Sequence, residues 1–478
     1  MVDISNKIFG SEKFQQLNSV NVAPEQPVVL HGISGSLWAY VAVTLFRQAN
    51  GQVLVVVDDR DRAEKLRDDC STLIGDANVR LCVAEPQHAA QAMDMFAPFR
   101  RPSGATAKSS MRHIDWILFV STIPLVAAGL VTINSFTGQN LLFEKQLFWA
   151  AIAFGLFFLL SRLDFRFLRR TDVIVGLFFV ATTLLAGLFV AGSTVNGARS
   201  WYDFGAFAFQ PSDPAKLVVI LLLAKYFSKR HIEIANVRHI VISGFYVFVI
   251  SLLIFLEPDF GSTIIVALLW LGMVLVSGIS KKHIFMVVIL SAVALGGLWV
   301  YVFADYQKER IVTFIHPLTD IQGAGYNAYQ STIAVGSGEL YGKGVGYGTQ
   351  SRLRFLPEYQ TDFIFAAFAE EWGFFGVLLL FFCFGVVVWR ILANAMQGAT
   401  NFETLFGIGL AILFMSHFTI HIGMNIGLLP VTGTTIPFLS YGGSHLITEY
   451  VGLGILMGMR RYGHSAHRDA LKNEFVGV

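Results

Sequence analysis

The chain has 478 residues, 54% of them hydrophobic and only 14% charged, with a mean hydropathy of +0.58. Soluble proteins carry about a quarter charged residues, so the composition excludes an ordinary soluble enzyme and points to an integral membrane protein. A net charge of +2 without a basic block excludes a nucleic-acid partner, and Cys70, Cys82 and Cys383 form neither a disulfide framework nor a metal-ligand spacing.

The first 25 residues are polar, so no signal peptide is read there. Pro27–Ile33 (PVVLHGI) and Gln52–Val57 (QVLVVV) are short β-branched runs of the kind found in buried parallel strands, and Val79–Val83 is a third. Leu37–Gln48 and Arg60–Leu73 read as the helices between them. The pattern predicts a small cytoplasmic α/β fragment, βαβαβ, over residues 1–98. The turn Gly32–Ser36 lacks the lysine and spacing of a phosphate loop, so it is read as a strand-to-helix turn with a serine cap and no nucleotide is expected. HGISGS followed by VLVVVDDRDRAEKLRDD resembles the beginning of the transcription-repair coupling factor, related to the excinuclease B subunit, which implies a protein-binding module. Residues 99–112, rich in Pro, Gly, Ser and basic residues, read as a linker.

Ten apolar runs follow, near 115–134, 142–161, 173–192, 213–228, 240–256, 262–279, 283–303, 362–389, 403–424 and 441–459. Several are shorter than the roughly 20 residues of a perpendicular span, but neighbouring helices can shelter short spans. The fold class is therefore read as an all-α polytopic membrane protein with ten transmembrane helices. Arg162, Arg166, Arg169 and Arg170 follow the second run, Lys229, Arg230 and Arg238 the fourth, Lys281 and Lys282 the sixth, Arg390 the eighth, and Arg460 and Arg461 the tenth. The opposite short loops hold only Lys145 and Arg199. The positive-inside rule then puts both termini in the cytoplasm, with residues 464–478 as a cytoplasmic tail and the loop after the seventh run outside.

That loop, Phe303 to Gln360, is far longer than the few residues a mere connection needs, which favours function. Eight glycines between Gly323 and Gly348 let the backbone fold back along a membrane surface. Asp320 lies within the loop and Asp362 where the next run begins. The phrases P-x-x-D-x-x-G-x-G-Y (Pro317–Tyr326), G-x-G-E-L-x-G-x-G (Gly336–Gly344) and L-P-E-x-x-T-D-F-I-F-A (Leu356–Ala366) resemble the SEDS family, polytopic peptidoglycan polymerases of the RodA/FtsW type. So do Arg199-Ser200-Trp201, Gln210–Lys216, Glu257–Gly261, Leu429–Gly433 and Pro437–Ser444, in the family's order, over residues 113–463. Four positions depart from its pattern: Asp213 stands for the usual Glu, Glu257 for Gln, His421 for Asn and His445 for Ser.

The resemblance implies a glycosyltransferase that polymerises lipid II outside the cytoplasmic membrane, for elongation and shape or for division, with a class B penicillin-binding protein as the cross-linking partner. The acceptor hydroxyl is a weak nucleophile, so a carboxylate general base is useful, and Asp320 aligns with the family's catalytic Asp; as an ordinary loop acid it would cap a turn. The leaving pyrophosphate needs cations or a divalent metal, Mg or Mn, with no metal ligands assignable. Asp213 and Lys216, at i and i+3, can face each other, where the plainer reading is a helix start capped by Ser212 or Asp213. Arg199 and Trp201 belong to the R-x-W element, and Lys343, Arg352 and Arg354 are candidates for pyrophosphate or lipid headgroups, each also readable as a solvated loop charge. Asp362 is a supporting candidate or a residue satisfying helix amides. His417 and His421, at i and i+4 with no third ligand, read as satisfied interior histidines rather than a metal pair. Two other functions stay open: a lipid II flippase or transporter, and a non-catalytic scaffold for a penicillin-binding protein.

Overall fold

The computed structural model describes residues 114–136, 141–195, 198–205, 207–228, 237–278, 281–301, 303, 305–316, 325–353, 355–356 and 358–474. The expected N-terminal α/β fragment and its linker lie outside the described residues, as do Asp320 and Arg354. The chain divides into two units, residues 109–467 and residues 1–108 with 468–478. The elements below belong to the first, apart from the end of the last helix.

Each of the ten apolar runs is a helix: α1 Trp116–Phe136, α2 Leu141–Leu160, α3 Thr171–Ala191, α4 Ser212–Ser228, α5 Val237–Leu256, α6 Phe260–Val276, α7 Lys281–Tyr301, then α11 Ile364–Ala395, α12 Asn401–Asn425 and α13 Gly443–Glu474. The long polar loop holds three more, α8 Asp305–Ile315, α9 Tyr326–Ser337 and the single turn α10 Thr349–Arg352. Among the described residues, six helices are long and apolar enough to cross a membrane: α1, α2, α3, α5, α11 and α12. Their exteriors stay apolar, as at Phe179, Val190, Phe248 and Phe382, a surface that calls for lipid rather than water.

Helices α4 and α12 and the first part of α13 are the most interior: α12 packs on α4, α6 and α11, and α1 lies along α11. Aromatic rings fill the seam between α1, α2 and α13, where Phe119, Phe157 and the fully buried Tyr450 meet and the Tyr450 hydroxyl donates to Thr122 Oγ1 at 2.8 Å. At the end of the bundle carrying the start of α1, Asp115 Oδ2 accepts from Arg390 Nε at 2.8 Å and Asn394 Nδ2 at 2.7 Å. Glu403 takes Arg169 Nη2 at 2.6 Å. Some of the arginines that set the expected orientation are therefore also structural ties.

The connection from α3 to α4 is a small antiparallel sheet, β1 Ser193–Val195, β2 Ala198–Asp203 and β3 Ala208–Phe209, with Ser193 opposite Trp201 and Tyr202 opposite Phe209. Strands this short leave too little alternation to be read from sequence.

Candidate functional site

The glycine-rich loop is locked to α11 through a kink. Gly373 has φ +63° and ψ −166°, which interrupts the helix and frees backbone groups on both sides. The freed carbonyls of Glu370 and Glu371 accept from Lys343 N at 2.9 Å and Gly344 N at 3.0 Å, while the freed amides of Phe374 and Phe375 donate to Glu339 O at 2.9 Å and Leu340 O at 3.2 Å. The side chains finish the clamp. Glu370 Oε1, fully buried, accepts from Lys343 Nζ at 2.8 Å, Thr349 Oγ1 at 3.1 Å and Gln350 N at 3.1 Å. Glu371 Oε1 accepts from Gly346 N at 2.5 Å. Lys343 is thus committed to a structural ion pair and also reaches Thr349 Oγ1. Arg352 is exposed at the end of α10.

A second cluster is buried where α4, α12 and α13 meet. Lys216 Nζ donates to Asp213 Oδ1 at 3.1 Å, and both side chains are under 5% exposed. The same oxygen lies 3.3 Å from His445 Nδ1, while His445 Nε2 lies within ion-pair distance, 2.9 Å, of Glu449 Oε1. Asp213 Oδ2 and Ser212 Oγ have no hydrogen-bond partner, so neither serves as a helix cap. A small cavity with room for about one water is lined by Asp213, Lys216, His417, His445 and Glu449. The two histidines of α12 are satisfied on one side only: His417 Nδ1 lies 3.1 Å from Thr435 O and His421 Nδ1 2.6 Å from Thr434 O, while the buried Nε2 of each has no hydrogen-bond partner. A carbonyl only accepts, so each Nδ1 carries the hydrogen.

A third group surrounds Asp362, which precedes α11. The helix is entered at Phe363 with no side-chain cap bond, so Asp362 does not satisfy its amides. Burial, reinforced by the charge of Glu358 and opposed by Arg310, pushes the Asp362 carboxyl up to about 7. Between α5 and α6, burial with the neighbouring charge of Asp259 pushes Glu257 up to about 8, and neither of its carboxyl oxygens has a partner. Asp259 caps α6 through Ser262 N at 2.9 Å and accepts from Gln210 Nε2 at 3.1 Å.

Asn425 joins three helices in this region. Its Nδ2 donates to Asp362 O at 3.0 Å, and its Oδ1 accepts from Ala366 N and Ser331 Oγ, both at 3.2 Å. Nearby, Gln146 donates to Ser440 O at 3.2 Å and accepts from Gly442 N at 3.1 Å, while Ser440 Oγ donates to Thr361 O at 2.9 Å. Gln146, Asn425 and Glu449 were not found from sequence. An isolated amide or acid in an apolar helix is the signal that could have found them, since a polar group there needs a partner.

Arg199, exposed on β2, donates to Phe189 O at 3.0 Å, closing the end of α3. Trp201, half-buried, follows on the same strand, its carbonyl accepting from Ser193 Oγ at 3.0 Å. These residues, the Lys343 clamp and the Asp213 cluster are separate groups. Among the described residues no three His, Cys, Asp or Glu side chains come together as a metal site.

Residues 110–465 match the FTSW_RODA_SPOVE family, described as cell cycle protein. The chain is 34% identical over 351 residues to the peptidoglycan glycosyltransferase MrdB of Escherichia coli (strain K12), covering 73% of this chain and 94% of that protein. It is 33% identical over 364 residues to stage V sporulation protein E of Bacillus subtilis (strain 168), covering 73% and 97%. Among solved structures it resembles a chain from "Structural coordination of polymerization and crosslinking by a peptidoglycan synthase complex", with TM-score 0.64, 29% identity, and 73% and 98% of the two chains covered. It also resembles the rod shape determining protein RodA of Thermus thermophilus, with TM-score 0.55, 30% identity, and 73% and 96% covered.

Proposed function

The chain belongs to the FtsW, RodA and SpoVE family, and from that premise we propose that it is a peptidoglycan glycosyltransferase that polymerises lipid II on the outer face of the cytoplasmic membrane. The observation that carries this reading is the 34% identity to a peptidoglycan glycosyltransferase across 94% of that protein's length. All ten apolar helices cross the membrane in this reading, both termini are cytoplasmic, and the loop between α7 and α11 faces outward. The relative within a complex that couples polymerization and crosslinking supports a transpeptidase partner, of the class B penicillin-binding type that the family resemblance implies, and a role in elongation and shape or in division.

Asp320 is the general base for the acceptor hydroxyl. Asp213 and Lys216 support the site from the buried cluster, and Arg352 and Arg354 meet anionic groups of the substrate. Asp362, held near neutrality by its surroundings, sits at the start of α11 as a second acid. Cations, or a divalent Mg or Mn ion, would meet the charge of the leaving pyrophosphate; among the described residues no group of three His, Cys, Asp or Glu forms a site for one. Lys343 is already spent on Glu370, which makes it a support of the loop rather than a substrate contact.

The test is polymerisation by the purified full chain with its partner's transpeptidase blocked. Wild type converts lipid II into glycan strands. Asp320→Asn, which keeps size but loses basicity, drops the rate by about 10² to 10⁴. Lipid II translocation in vesicles without polymer from the wild type would replace this reading with a transporter.

A further inference from the structure

We infer that His445 is a positioning residue for the Asp213–Lys216 pair: an imidazolium wedged between the carboxylates of Asp213 and Glu449, which leaves the buried cluster with no net charge. The inference deepens the glycosyltransferase reading above and rests on it. A neutral imidazole offers one N–H and one lone pair. Carboxylate oxygens lie 3.3 Å from His445 Nδ1 and 2.9 Å from Nε2, so either neutral tautomer would turn a lone pair against a carboxylate. With both acids ionised, only the doubly protonated ring sets a positive charge beside each: Nδ1–H faces Asp213 Oδ1, and Nε2 lies at ion-pair distance from Glu449 Oε1 without hydrogen-bond geometry.

The charges then balance: Lys216 and His445 are positive, Asp213 and Glu449 negative, and all four side chains are at most 12% exposed. An unpaired charge at such a place is costly, whereas a balanced set is tolerated. The remaining neighbours add no charge. His417, from α12, has its ring 4.8 Å from His445 but gives its Nδ1 hydrogen to Thr435 O. Leu413 and Phe414 are apolar, and the Thr448 hydroxyl donates to Ser444 O at 2.9 Å.

The wedge also connects the pair to the outer loops. Glu449 Oε2 accepts the Phe438 amide at 3.0 Å, and Phe438 holds a left-handed φ of 65° that a bulky residue rarely adopts. Phe438 and Ser440 share one loop, and Ser440 Oγ donates to Thr361 O beside Asp362. His445 and Asp213, far apart in sequence, are thus in direct contact.

The experiment uses the full chain in detergent, with lipid II as substrate, and compares His445→Gln, Glu449→Gln and the double variant in kcat, KM and melting temperature. His445→Gln leaves one negative charge in excess and Glu449→Gln one positive. Each single variant loses at least about tenfold in kcat, with KM changed less than about twofold. The double variant restores neutrality and recovers most of the lost kcat and melting temperature. A double variant as impaired as the worse single one would overturn the inference, because packing alone predicts no rescue. Single variants with wild-type kcat would overturn it equally. If His445→Gln does not fold, Glu449→Gln and the double variant still decide through their melting temperatures. If the wild type makes no polymer, the glycosyltransferase reading fails, while the rescue in melting temperature still judges the charge pairing.

Discussion

Gly342 and Gly373 meet backbone to backbone. A β-carbon on Gly342 would lie 2.7 Å from the Gly373 nitrogen, and both residues hold left-handed φ angles, +79° and +63°. The same approach lets the loop and the kinked helix exchange four backbone hydrogen bonds. Gly342, within G-x-G-E-L-x-G-x-G, and Gly373 are therefore required by contact as well as by conformation.

Alanine at either position meets both obstacles. The left-handed backbone alone costs about 1–2 kcal/mol for a residue with a β-carbon, and the clash adds to it. Gly342→Ala and Gly373→Ala each lower the melting temperature of the purified protein and reduce polymerisation with it. Gly336→Ala, where a β-carbon meets nothing within 4 Å, leaves both near wild type. Equal stability of all three variants would refute the interlock.

Lys343 and Glu370 give a double-mutant cycle that separates support from substrate contact. Glu370 is fully buried and Lys343 is 29% exposed, so the acid depends on the pair more than the lysine does. Removing one partner of a buried pair costs about 3–5 kcal/mol, and partial exposure on the lysine side brings Glu370→Ala to the lower end. Lys343→Met costs at least as much, because it leaves the buried Glu370 carboxylate without a counter-charge, with Thr349 and Gln350 as its remaining donors. The double variant is no less stable than Glu370→Ala alone. A Lys343→Met variant with wild-type stability and a raised KM would instead return the lysine to substrate binding.

The helices were legible because each apolar run is long and has few charges, and the motif phrases marked the loops that converge. What stayed hidden depended on tertiary pairing. Lys343 and Arg352 look alike in sequence, yet one is paired with a buried acid and the other is open to solvent. Asn425 and Gln146 gave no spacing to read, since their partners are backbone groups far along the chain. Glu370 and Glu371 are acids in an apolar helix, a costly place for a charge. The kink at Gly373 brings loop amides to both and makes them the fixed points of the loop.

Glu257 makes stability depend on pH. Its carboxyl is pushed up from an ordinary 4.5 to about 8, so the folded protein holds the proton more tightly than the unfolded chain. The favourable contribution is complete below about pH 4.5, falls as pH rises toward 8, and is flat above. Each unit of difference is worth about 1.4 kcal/mol, so the loss across this window amounts to a few kcal/mol. Glu257→Gln cannot ionise, so its melting temperature falls less steeply than wild type over the same range, where Asp362 still titrates, and the gap between the two proteins widens toward pH 8. Parallel melting curves for the two proteins from pH 5 to 9 would remove Glu257 from the account.

Tyr347 and Arg166 test the orientation of the chain. Both side chains are exposed, 68% for the tyrosine and 51% for the arginine. A difference in labelling therefore reports the side of the membrane rather than burial in the protein. The orientation proposed above from charge asymmetry has the glycine-rich loop outside and the loop after α2 inside. With Cys70, Cys82 and Cys383 replaced by serine, Tyr347→Cys in intact cells reacts with a membrane-impermeant thiol reagent. Arg166→Cys reacts only after the membrane is permeabilised, which shows that its thiol is reactive once reached. One arginine fewer among Arg162, Arg166, Arg169 and Arg170 leaves the local excess of positive charge intact, so the substitution does not itself invert the chain. The opposite labelling pattern would put Asp320 on the cytoplasmic side, away from any outer-face polymerisation.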